Sequence, residues 1–81
     1  MKLPKKRLVA VRWEDAYGDL NRRPKGHHCF NTTVGWLLNE NKDGLLELAN
    51  EWSAEGTRWR GMTYVPVANV VSIVDLRPQG V

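Results

Sequence analysis

Apolar and polar residues in this chain alternate with the period of β-strands. In Leu8–Tyr17, LVAVRWEDAY, Val9, Val11 and Trp13 alternate with Ala10, Arg12 and Glu14. Successive side chains of a strand point to opposite faces, so this pattern predicts a half-buried first strand, with Asp15 introducing a bend. Thr32–Glu40, TTVGWLLNE, predicts a second strand with Val34, Trp36 and Leu38 on one face. Gly35 inside it marks a bulge, a sharp bend, or a point where another backbone or a ligand comes close; a bend is the commonest of these.

Asn41–Gly44, NKDG, is a hairpin signal, because Asp and Gly tolerate the positive φ that a tight hairpin turn requires. Leu45–Trp52, LLELANEW, has two readings. Leu45, Leu48, Ala49 and Trp52 fit a helical stripe, whereas Leu46 and Leu48 alternate around Glu47. The flanking hairpin signals need a β partner, so strand is the expectation. Ser53–Thr57 is a turn, and Arg58–Val65, RWRGMTYV, a fourth strand with Gly61 as a bend point.

The segment Met62–Leu76, MTYVPVANVVSIVDL, organises the end of the chain. Pro66 has no amide donor and cannot sit inside a central strand, so it starts a turn. Val67–Asn69 is the length of one 3₁₀ turn, and the β-branched Val70–Leu76 resumes the sheet as a fifth strand. The expected fold is mainly β: a small five-stranded SH3-like or Sm-like barrel with a 3₁₀ turn before the last strand, as one domain over residues 1–81 with a basic lead-in (1–7) and a frayed tail (77–81).

Between the first two strands, Tyr17–Asn31, YGDLNRRPKGHHCFN, has neither period and carries Gly18, Pro24 and Gly26, so it reads as a long loop. Its Arg22, Arg23 and Lys25 suit contact with an anion.

Composition adds three constraints. At 81 residues the chain buries a smaller share of its surface than a larger protein, which favours self-association. Its four Trp, two Tyr and one Phe point to an aromatic-rich interface or ligand site as well as a core. The net charge of +3 divides into basic clusters at Lys2–Arg12, Arg22–Lys25 and Arg58–Arg60, and an acidic middle from Glu40 to Glu55. Such a surface attracts an anionic partner on one side or a second copy of itself.

The single Cys29 excludes an intrachain disulfide and fits a reducing compartment. No apolar run approaches the ~20 residues of a membrane span. The expected location is the cytoplasm, host cytoplasm for a viral protein.

The spacing Pro66-x-x-x-Val70-x-x-Ile73 resembles the closing motif of SH3-like barrels. It is also similar to the second half of Sm-like proteins, whose last strand pairs with the neighbouring subunit of a ring. The segments with which SH3 domains grip proline-rich peptides, and the Asp/Asn pattern with which Sm proteins hold uridine, are not recognisable. A broader constellation, Val11-x-Trp13-Glu14-Asp15-Ala16, Thr33-Val34-Gly35-Trp36-Leu37 and Val65-Pro66 with Val70-x-x-Ile73, resembles a group of small phage and prophage proteins. That resemblance implies a phage origin and a binding role, such as nucleic-acid binding, inhibition of a host enzyme or sequestration of an immune signalling nucleotide.

Catalytic signatures are weak. His27, His28 and Cys29 are consecutive and cannot easily converge on one tetrahedral metal. There is no phosphate-cradling glycine loop, and Trp13-Glu14-Asp15 reads as a core tryptophan followed by a capped turn. Neither an enzyme, a cofactor nor a metal is expected.

Binding is better supported. Trp59 between Arg58 and Arg60 joins a stacking face to phosphate-holding guanidiniums, although strand alternation points the ring away from both cations unless the strand lies at an edge. The expectation is a non-enzymatic homo-oligomer that captures a nucleotide-type anion through Arg22, Arg23, Lys25, Trp36, Arg58, Trp59, Arg60 and Tyr64, as a host-defence antagonist. Alternatives are a module for single-stranded nucleic acid and a protein that docks on a host factor.

Overall fold

The computed structural model describes residues 4–15 and 29–76. They form β1 (Arg7–Asp15), β2 (Cys29–Lys42), β3 (Leu45–Ser53), β4 (Arg58–Pro66), a 3₁₀ turn (Val67–Asn69) and β5 (Val70–Asp75). All neighbouring strands are antiparallel, in one five-stranded sheet of order β4-β3-β2-β1-β5. Residues 45–52 are strand, so the flanking turns outweigh the helical propensity of Leu, Glu and Ala. None of the helices described is long and apolar enough to cross a membrane.

Asp43 and Gly44 both take positive φ, 54° and 83°, between the paired residues Lys42 and Leu45. This is the twist that a two-residue hairpin needs, and it is what the Asp-Gly pair supplies. Asn41 Oδ1 accepts the Gly44 N–H at 2.9 Å, and Gly44 O accepts the Val67 N–H at 2.9 Å. The hairpin tip is thus tied to the 3₁₀ turn that follows Pro66.

The core consists of Val9 and Val11 from β1, Leu37 from β2, Leu46 and Leu48 from β3, and Val65 from β4. Trp13, Val67, Val70 and Ile73 pack against it. Every strand therefore contributes to one cluster, which requires the sheet to curl. The Trp13 indole N–H donates to Thr33 Oγ1 at 3.0 Å, so this ring is structural.

Three expectations need correction. The sheet is open, with β4 and β5 as its two ends. Pro66 and the three-residue turn carry the chain across to the free side of β1, where Val9–Trp13 pair with Val70–Asp75, so the fifth strand extends the sheet without closing it. In β2 the core residue is Leu37; Val34, Trp36 and Leu38 occupy the other face, because Gly35 stands opposite Val9 and Leu37 opposite Leu48. The third concerns the loop expected over 17–31, since Cys29, Phe30 and Asn31 already pair with β1. Residues 17–28 lie outside those described.

At Gly35 a Cβ would sit 2.7 Å from the Ala49 carbonyl oxygen. The close approach is to backbone, which cannot rotate aside as a flexible side chain could. Gly35→Ala is expected to lower stability by about 1–3 kcal/mol, the usual range for overpacking, read as an earlier denaturant midpoint with unchanged slope.

Arg7 joins β1 to both its neighbours. Its Nε and Nη2 donate to the two carboxylate oxygens of Asp75 at 2.8 and 3.3 Å, and its Nη1 to Glu40 Oε1 at 2.8 Å. The hydrogen bonds and charge of Arg7 hold the Asp75 carboxyl below the usual carboxylate range. The folded protein therefore binds this proton less readily than the unfolded chain. The resulting stabilisation is present above the ordinary Asp pKa and is lost as pH falls through the lowered one. Asp75→Asn is expected to flatten the acid limb of a stability–pH profile and to reduce its salt sensitivity, both slightly because the pair is exposed.

Candidate tryptophan platform on the β3–β4 hairpin

The last pair between β2 and β3 is Trp36↔Ala49. Beyond it β3 pairs only with β4, through Glu51↔Arg60, Trp52↔Trp59 and Ser53↔Arg58. Gly61 has φ 66° and faces Asn50, where a Cβ would meet the Asn50 Cβ at 3.2 Å. This glycine twists β4 between Met62 and Arg60.

Two indoles of this projecting hairpin, Trp52 and Trp59, gather with Trp36 of β2. Trp59 lies 4.9 Å from Trp52 between ring centroids, tilted by 54°, and 5.7 Å from Trp36, tilted by 47°. These are tilted contacts of the kind aromatic quadrupoles favour. All three tryptophans are only partly buried. The Trp36 Nε1 is shielded from solvent and finds no acceptor among the described residues, a buried unsatisfied donor that costs stability.

The flanking cations differ. Arg60 Nε donates to Glu51 Oε2 at 3.2 Å, directly across the ladder. Arg58 has no carboxylate partner among the described residues, and its side chain passes within 3.5 Å of where a Cβ on Gly56 would be. Arg58 is exposed, one residue before Trp59 and opposite Ser53. β4 is an end strand of the sheet.

Of the residues proposed from sequence, Trp36 and Trp59 come together here, while Arg58 and Arg60 flank Trp59 along β4 and by strand alternation point to the other face. Tyr64 is 52% exposed opposite Glu47 and makes no ring contact with the tryptophans. Arg22, Arg23, Lys25, His27 and His28 lie outside the described residues, and Cys29 begins β2. Trp52 was missed. The expected turn over 53–57 sets Trp52 opposite Arg58; because Ser53 stays in β3 and pairs with Arg58, Trp52 faces Trp59 instead.

A double-mutant cycle on Trp52→Ala and Trp59→Ala is expected to give a coupling free energy of about 0.5–1.5 kcal/mol by chemical denaturation. A coupling near zero would mean that the rings touch without supporting the hairpin. No protein-family model, curated protein or solved structure matches this chain.

Proposed function

We propose that this protein is a non-enzymatic, homo-oligomeric binding protein that captures a nucleotide-type anion on the β3–β4 hairpin. The observation that supports this reading is the contact between partly exposed Trp52 and Trp59, next along β4 to Arg58, which has no carboxylate partner among the described residues. A base stacks on an indole face, and Arg58 holds a phosphate with a charge-assisted pair of donors.

Arg60 has a lesser role, because its guanidinium is already engaged by Glu51. In a phage setting, such capture would blunt a nucleotide signal of host immunity.

Calorimetry with a panel of linear and cyclic nucleotides tests the reading, alongside an oligothymidylate at two salt concentrations. Saturable binding of a small nucleotide with weak salt dependence is expected. Trp59→Ala should then cost about 1–3 kcal/mol, roughly five- to 150-fold in affinity. Arg58→Glu should weaken binding more than Arg60→Glu. Heat only from the oligonucleotide, falling steeply with salt through counterion release, would assign the platform to single-stranded nucleic acid. Heat from neither would refute the assignment.

A further inference from the structure

The two ends of the sheet are chemically unlike. β4 carries Arg58, Arg60, the positive-φ Gly61 and Pro66, each of which blunts an edge against further pairing. β5, VVSIVD, has four β-branched aliphatic residues, no Lys or Pro, and one charge. That charge, Asp75, is already held by both its oxygens on Arg7. Among the described residues no strand pairs with the outer side of β5.

The phase of the ladder fixes what that side offers. Leu76 N–H donates to Leu8 O at 2.8 Å, in the same register as Val9↔Asp75 and Ala10↔Val74. In an antiparallel ladder bonded and non-bonded pairs alternate, so Val74 bonds toward β1 while the backbone groups of Ile73 and Asp75 point to the free side. On the solvent face, Val74, Ala10 and Val34 form a continuous row across β5, β1 and β2. The row ends at the edge with Val74 55% exposed, and Val34 is 51% exposed at its other end.

We infer that β5 pairs antiparallel with β5 of a second copy about a two-fold axis through Val74, continuing the sheet across the interface. Ile73 and Asp75 of each chain then exchange hydrogen bonds with Asp75 and Ile73 of the other. The two Val74 side chains face each other as a non-hydrogen-bonded pair, and the apolar row runs uninterrupted through both chains. A second copy is the occupant because this edge is complementary to itself: its unsatisfied groups repeat symmetrically about Val74, and its one acid is internally neutralised. This inference names the partner surface of the homo-oligomer proposed above and rests on that part of the reading.

Sedimentation and disulfide trapping test it. The wild-type chain is expected at twice its 9.3 kDa mass. Val74→Lys, on the solvent face, should keep the β circular-dichroism spectrum and sediment as a monomer. In a Cys29→Ser background, Val74→Cys should form a covalent dimer under mild oxidation, since facing non-bonded residues lie ~4.5 Å apart between Cα atoms, within disulfide range.

Val71→Cys, equally exposed at 56%, should not. Monomeric wild type, an oligomer untouched by Val74→Lys, or equal trapping at residues 71 and 74 would each overturn the pairing. Nucleotide titration of Val74→Lys reads the ligand site separately, so loss of the dimer with retained binding supports the inference, and loss of both would show that the surface is not confined to β5.

Discussion

The Ala49 carbonyl oxygen lies where any side chain at residue 35 would begin, and the shape of the sheet depends on that contact. With glycine there, β2 and β3 come close enough for Leu37 to pair with Leu48 and for Leu46, Leu48 and Val65 to reach Val9 and Val11. Immediately beyond, pairing between the two strands ends, and β3 and β4 run on as a two-stranded hairpin. An isolated hairpin is at best marginally stable, so its far end needs support of its own. The tryptophan cluster supplies that support, with Trp36 on β2 as the link back to the sheet. The same rings serve stability and the proposed ligand, which is why substitutions there need a stability measurement beside any binding measurement.

The strands were legible because their signals are local. Val9, Val11 and Trp13 alternate as a half-buried strand should, Asp43-Gly44 names its own turn, and Pro66 marks the end of β4 and the start of the 3₁₀ turn. What was illegible depends on distant partners. In TTVGWLL both faces of β2 carry apolar residues, so the sequence does not say whether Trp36 or Leu37 faces the core; the choice is made by Val9 opposite Gly35 and Leu48 opposite Leu37. Arg7 looked like one more cation of a basic lead-in, since its acceptors Glu40 and Asp75 are 33 and 68 residues away. Closure of the barrel was over-read from the spacing around Pro66, which specifies a turn and a following strand but not which edge that strand takes.

The core explains the pressure on the remaining surface. Its fully buried side chains are all aliphatic, and the largest are Leu46 and Leu48; none of the tryptophans belongs to it as a fully buried residue. Meanwhile Phe30, Val34, Met62, Tyr64, Val71 and Val74 remain exposed. Some of this is managed within the chain, as where the Arg12 guanidinium lies 4.9 Å from the Phe30 ring centroid. Among the described residues the row from Val34 to Val74 has no such cover, and a small domain gains by burying a surface of this kind.

The self-pairing inferred at β5 and the ligand capture proposed for the β3–β4 hairpin belong to opposite ends of one sheet, separated by β1 and β2. In the two-fold dimer the order becomes β4 through β5 of one chain followed by β5 through β4 of the other, so the tryptophan hairpins fall at the two outer ends. Each site is then complete within a single chain, and dimerisation neither occludes it nor contributes a residue to it. The division follows from the edges themselves: arginines, a twisted glycine and a proline make β4 a poor template for another strand. On the proposed reading those features leave its face to a small anion, whereas β5, whose one acid is held by Arg7, offers little to an anion and a free ladder side, among the described residues, to its own copy.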